Sequence, residues 1–130
     1  MNIVIPTIGS RGDVQPYIAL AQGFAQTNHT VKVASHPVMK TLVESYGVTF
    51  APIGPDIDLA LEITTIRNQA RNAAVGLIKA MRFGFEMLER SHDDILALCR
   101  KADLVVVPSS VAAGKSEAEL LNLPYLSVTL

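Results

Sequence analysis

Five short apolar runs set the terms on which this chain can fold: NIVI (residues 2–5), TVKVAS (30–35), VTFAPI (48–53), DLVVVP (103–108) and YLSVTL (125–130). Rich in valine and isoleucine and near-continuous in their apolar character, they suit parallel strands covered by helices on both faces. Between the first two, Tyr17, Leu20, Ala21 and Phe24 recur at i, i+3, i+4 and i+7, the stripe of a helix packed on a sheet. A second helix is expected in PVMKTLVESYG, with Pro37 near its start and Gly47 just past its end. A late one is expected in VAAGKSEAELLNLP, stopped by Asn122 and Pro124. The order is βαβαβ, a long helical middle, then βαβ. Sequential βαβ units predict one α/β domain over residues 1–130, a Rossmann-like, doubly wound parallel sheet.

Composition narrows the partners. With 49% hydrophobic and 18% charged residues and a net charge of −1, neither disorder nor bulk attraction to nucleic acid is expected. The single cysteine, Cys99, excludes an internal disulfide, and His29, His36 and His92 form no zinc-type cluster with it, so no metal is expected. The start, MNIVIPTIG, has no basic segment and is broken by Pro6, and no later apolar run approaches the roughly 20 residues of a membrane span. The expectation is a cytoplasmic chain, meeting a membrane at most peripherally.

The segment from Ile5 to Pro16, IPTIGSRGDVQP, crowds two glycines, an arginine and a carboxylate into the turn after the first strand. Ligands of open α/β sheets collect at the carboxyl ends of strands, which makes Gly9, Ser10, Arg11, Gly12 and Asp13 the leading site candidates. Gly9 and Gly12 allow positive φ or close backbone approach. Asp13 stands where a helix N-cap belongs, with Pro16 in the first turn, so it is either a cap alone or a cap with a further role. A dinucleotide site is the weaker option: the loop is G-x-x-G, not G-x-G-x-x-G, and the second strand ends in Ser35-His36 without a ribose-binding acid. Only an NADP-type contact from Ser35 and His36, and hence an NADP-dependent reductase, stays open.

The stretch GSRGDVQPYIALAQGFAQTNHTVKVASHP, with the later DLVVVPSSVAAGKSEAELLNLPYLSVTL, resembles the amino-terminal acceptor-binding domain of family 28 glycosyltransferases of the GT-B fold. The likeness is greatest to the sterol glucosyltransferase and glycopeptide-antibiotic glycosyltransferase branch and rests on the signature G-[ST]-R-G-D-V-Q-P. It covers almost the whole chain and is weakest in the middle helical region. It implies transfer of a hexose from a nucleotide sugar to a hydroxyl of a lipid, sterol or other apolar acceptor, with inversion. By the match, Asp13 is the base that accepts the hydroxyl proton. The loop Gly9–Gly12, with His36, Ser109 and Ser110 at other strand ends, would shape the substrate cleft. Arg11 would neutralise a donor phosphate or face solvent. In related plant enzymes the base looks to be a histidine held by an aspartate after the fourth strand, and the matching Val107-Pro108-Ser109-Ser110 has no carboxylate. The resemblance implies no resident cofactor: the nucleotide sugar is a co-substrate, bound mainly by a second, carboxy-terminal domain acting in cis or in trans. Since the chain stops before the first domain would be complete, it is expected to be a fragment, an excised segment or half of a split enzyme, inactive alone. A non-catalytic binding or scaffold subunit of the same fold is the rival reading.

From Ile66 to Phe85 the chain carries Arg67, Arg71, Lys79 and Arg82 and no acid. Read as one helix, these flank an apolar face of Ile66, Ala70, Leu77 and Met81, which suits either packing on the sheet or contact with a lipid surface or acceptor. Gly76 and Gly84 are expected to divide the stretch. Asp56 and Asp58 are expected in a turn and a helix start, and His92, Asp93 and Asp94 on a water-facing helix surface.

Overall fold

The computed structural model describes residues 1–56, 59–110 and 113–130. In chain order the elements are β1 (Asn2–Pro6), α1 (Arg11–Gln26), β2 (Thr30–Ser35), a 3-10 turn (Pro37–Met39) running into α2 (Lys40–Ser45), β3 (Thr49–Pro52), α3 (Leu59–Gln69), α4 (Ala73–Cys99), β4 (Leu104–Pro108), α5 (Lys115–Leu120) and β5 (Tyr125–Val128). The five strands form one sheet in the order β3-β2-β1-β4-β5, and all four pairings are parallel. In the central pair Ile3 faces Val31 and Ile5 faces Val33, and on the other side Val4 faces Val105. The expected Rossmann-like fold is therefore present. Asp58 lies outside the described residues.

Alternation along the strands feeds two separate cores. Ile3, Ile5, Val31, Val33 and Val106 pack with Val14, Tyr17, Ile18 and Ala21 of α1 and Val43 of α2. Val4, Ala34, Ala51, Val105 and Val107 pack with Met87, Ile95 and Cys99 of α4 and Ala118 of α5. Leu20 and Phe24, predicted for the helix stripe, lie at the border of the first core, half-buried. Gly47 has φ +73 just past the end of α2, the left-handed conformation that ends a helix and that glycine adopts without strain.

The helical middle departs from expectation. Gly76 and Gly84 do not break it: both lie inside α4, which runs unbroken through 27 residues. The break comes earlier, at residues 70–72, where the Asn72 side chain accepts the Val75 N–H at 2.9 Å and caps α4. Gly76 is buried because α3 crosses there; a Cβ on it would lie 3.3 Å from the Ala70 Cβ and 3.6 Å from the Arg67 Cα. At 1.5 Å per residue α4 is about 40 Å long, more than twice the length of any strand in the sheet. In its second half Met87, Ser91, Ile95 and Cys99 are buried at successive i+4 positions. The first half sends Phe83 to the border of the core and leaves Leu77, Ile78, Met81 and Phe85 exposed.

His36, at the end of β2, is fully buried, and neither ring nitrogen has a hydrogen-bond partner among the described residues. It packs beneath the turn after β3: a Cβ on Gly54 would lie 3.3 Å from His36 Nδ1 and 2.7 Å from Ser91 Oγ. Burial pushes its pKa below the ordinary histidine value of 6.5, the Ile53 backbone beside it opposing the shift without completing a hydrogen bond. A depressed pKa favours the neutral ring in the native state, so the stability it confers is present above pH 6.5 and lost as the pH falls from there toward the native pKa. Urea melts at pH 7, 6 and 5 should show the native chain losing stability relative to His36→Leu as the pH falls, with a slope approaching about 1.4 kcal/mol per pH unit. Parallel stability curves for the two proteins would contradict this account.

Candidate active site

The chain builds outward from β1 to β2 and β3, then returns to the other side of β1 for β4 and β5. Such a switch point leaves a crevice outside the carboxyl ends of the two strands where the order reverses. Here those ends carry the turn from Thr7 to Ser10 and the start of α1 after β1, and Ser109 and Ser110 after β4.

Asp13 is positioned by the start of α1. Ser10, not Asp13, occupies the N-cap, with extended backbone (φ −80°, ψ 175°), and Asp13 is the third helical residue. Asp13 Oδ2 accepts the Ser10 backbone N–H at 2.8 Å and the Ser10 hydroxyl at 2.9 Å, the carboxylate half of a capping box. Because α1 begins at Arg11, Pro16 falls in its second turn rather than its first, and its missing N–H leaves the Gly12 carbonyl without the usual donor four residues on. Asp13 Oδ1 has no partner among the described residues. One oxygen thus secures the loop while the other stays available to a ligand.

The two glycines of the loop do different things. Gly9 has φ +144, and a Cβ there would stand 2.5 Å from Asp13 Oδ2 and 2.9 Å from both the Cβ and Cγ of Asp13. Only glycine lets the carboxylate rest against this backbone. Gly12 sits in the first turn of α1 without a positive φ, and a Cβ there would meet nothing nearer than Ser10 Oγ at 3.8 Å. The expectation that both glycines serve strained backbone or close approach is corrected to Gly9 alone. Arg11 is exposed and makes no ion pair among the described residues.

Beside this loop lies an apolar groove of about 310 Å³, lined by Ile8, Met81, Gly84, Phe85, Leu88 and Ser110. Among the described residues no charged one lines it, and Phe85 is 63% exposed. Ile8 lines the groove, and its neighbour Gly9 packs against the Asp13 carboxylate. Ser109 is held at the sheet edge instead: its N–H donates to the Val128 carbonyl at 3.0 Å and its hydroxyl lies 2.8 Å from that of Thr129.

Other predicted positions separate. His36 and Ser35 are both fully buried, so neither presents an atom at the surface to an acceptor or to a 2′-phosphate. The single basic face is divided by the turn at residues 70–72: Arg67 belongs to α3, Arg71 to the turn, and Lys79 and Arg82 to α4, all exposed. Two residues expected to meet only water are instead engaged. Asp94 Oδ2 accepts the Gly54 N–H at 2.9 Å, tying the turn after β3 to α4, and His92 Nδ1 lies 2.7 Å from Glu117 Oε1 on α5. No sequence spacing announces the second contact, since its partners sit on different helices 25 residues apart. Among the described residues no group of three or more metal-ligating side chains converges, and no helix is long and apolar enough to cross a membrane.

Known proteins resemble the chain in sequence and in fold. The model of the glycosyltransferase family 28 N-terminal domain matches residues 3–122. A sterol 3-beta-glucosyltransferase of Komagataella phaffii is 39% identical over 129 residues, covering 95% of this chain and 10% of that protein. The chain thus spans about a tenth of the length of the curated relatives it matches. The crystal structure of the Streptomyces sp. SF2575 glycosyltransferase SsfS6 superposes with a TM-score of 0.79 at 26% identity, over 99% of this chain and 39% of that one. Its complex with thymidine diphosphate superposes with a TM-score of 0.78, over 38% of that chain.

The loop geometry separates its two glycines experimentally. Gly9→Ala should lower stability by about 1–3 kcal/mol, because it both strains the backbone and expels the Asp13 carboxylate. Gly12→Ala, at a compatible helical position, should leave stability unchanged or raise it by up to about 1 kcal/mol. Equal effects of the two changes in urea melts would contradict the loop as described.

Proposed function

The chain belongs to the glycosyltransferase family 28 N-terminal domains, and from that premise we propose that it is the acceptor-binding half of an inverting hexosyltransferase acting on a hydroxyl of a sterol or similar apolar molecule. The observation that carries the reading is that Asp13 Oδ1 has no partner among the described residues, in the turn whose Ile8 lines an apolar groove at the switch point of a parallel sheet. The groove walls from Met81, Phe85 and Leu88 offer an aliphatic ring system contact without a charge to desolvate. The relative named as a sterol 3-beta-glucosyltransferase supports a sterol acceptor, and the relative solved with thymidine diphosphate supports a nucleoside diphosphate sugar as donor. The donor would be held mainly by a carboxy-terminal domain, in cis or in trans, facing the Gly9–Gly12 loop and Arg11.

In the reaction the acceptor oxygen attacks the anomeric carbon as the bond from that carbon to the diphosphate breaks, and the hydroxyl proton passes to Asp13 Oδ1. A carboxylate is far too weak a base to remove an alcohol proton in advance. Transfer must accompany bond formation, when the acceptor oxygen has become acidic. One carboxylate suffices, since inversion by a single displacement needs a base on one side and a stabilised leaving group on the other. Holding Oδ2 on Ser10 fixes the direction of Oδ1, which removes a rotational freedom the base would otherwise lose in the transition state. The exposed Leu77, Ile78 and Met81 of α4, flanked by Lys79 and Arg82, suit a peripheral approach to the lipid surface from which such an acceptor comes.

Two substitutions test the parts separately, in a protein that joins this chain to a donor domain. Asp13→Asn keeps an oxygen for Ser10, so stability should shift by less than about 1 kcal/mol, while turnover falls about 10²–10⁴-fold. Gly84, where a Cβ would meet nothing within 4 Å, can carry a large side chain without disturbing the core. Gly84→Phe should fill the groove, raising the acceptor KM at least about tenfold with the donor KM unchanged. Intact turnover per folded molecule of Asp13→Asn would remove Asp13 as the base, and an unchanged acceptor KM in Gly84→Phe would remove the groove as the acceptor site.

A further inference from the structure

The groove does not end at Leu88. Phe85 and Leu88 also line a second depression, of about 430 Å³ between α4 and α5, which bears His92 and Glu117. Glu117 is only 7% exposed, a degree of burial a carboxylate tolerates when it is paired. Its pair is His92, with Glu117 Oε1 accepting from the imidazole Nδ1 at 2.7 Å. Inward, its charge joins burial in pushing the Cys99 thiol up to about 11. A carboxylate on Nδ1–H fixes the tautomer of the neutral ring and leaves Nε2 as an acceptor. No described residue occupies Nε2, and the His92 side chain is 39% exposed in the depression. From Gly84 to His92 is about 12 Å along α4 at 1.5 Å per residue, comparable to the length of a four-ring nucleus.

Resting on the acceptor reading above, we propose that the His92–Glu117 pair is a second polar anchor, accepting a hydrogen bond from a hydroxyl at the end of the acceptor remote from Asp13. Its ligand class is a neutral, rigid polycycle with a hydroxyl at each end. A carboxylate at that end is disfavoured, because Glu89 and Glu117 both line the depression. A purely apolar end covers Nε2 without replacing the water it loses. The pair therefore selects among acceptors, whereas Asp13 acts on the one bound.

The test uses the chain itself with two probes, 5α-androstan-3β-ol and 5α-androstane-3β,17β-diol, titrated by calorimetry. The diol should bind about tenfold more tightly, the worth of one added hydrogen bond in a covered site. His92→Phe should abolish the preference, leaving the diol and the mono-ol with equal affinity. Nitrogen-15 spectra of the native chain, which need no variant, should show His92 Nε2 moving with the diol and not with the mono-ol. Equal affinities with an unmoved Nε2, or a diol preference that survives in His92→Phe, would overturn the anchor and leave the apolar groove standing. Failure of both probes to bind would overturn the acceptor reading and the anchor with it.

Discussion

A parallel sheet whose strands are apolar on both faces can exist in water only between two layers of helix, and that requirement organises this molecule. Ile3 and Ile5 point into one core and Val4 into the other, so β1 is committed on both sides. Helices then run back along both faces, and polar chemistry is driven to the carboxyl edge, where the chain leaves each strand. At β1 and β4 the strand order reverses, and the two loops leaving those strands diverge to open a crevice. The 27-residue α4 supplies the crevice wall: Met87, Ile95 and Cys99 enter the core, while Met81 and Phe85 stay exposed and line the groove.

Within that frame the proposed reaction gives a single carboxylate two duties, divided between its oxygens. Oδ2 is saturated by the Ser10 amide and hydroxyl, and Gly9 yields the space for it. In the proposed reaction Oδ1 takes the substrate proton. That reading joins fold and chemistry, since the hydrogen bonds that start α1 would also aim the base. A histidine base needs a second residue to fix its tautomer; an aspartate needs only to be held still.

The sheet was legible from the sequence because buried parallel strands leave near-continuous Val and Ile runs, and the helix ends because Gly47 and Asn122 have few other uses. The loop was legible as a site by its position. Its details were read one turn late: Ser10-x-x-Asp13 has capping-box spacing, yet aspartate is itself a good N-cap, and local propensity does not rank the two. The break between α3 and α4 was misplaced for a related reason. Gly76 looks like a breaker in isolation, but its missing side chain serves a helix crossing, while Asn72 marks the true start. His36 gave no sign of full burial, and the His92–Glu117 contact is purely tertiary, so spacing could find neither.

The central claim is that Asp13 Oδ1 receives the acceptor hydroxyl while Oδ2 keeps the helix cap. A crystal structure of the protein with 5α-androstan-3β-ol bound tests it most directly. The account predicts the 3-hydroxyl within about 2.6–3.2 Å of Asp13 Oδ1, the ring system against Met81, Phe85 and Leu88, and Oδ2 still on Ser10. A hydroxyl placed away from Asp13, or one that displaces Ser10 from Oδ2, would contradict it.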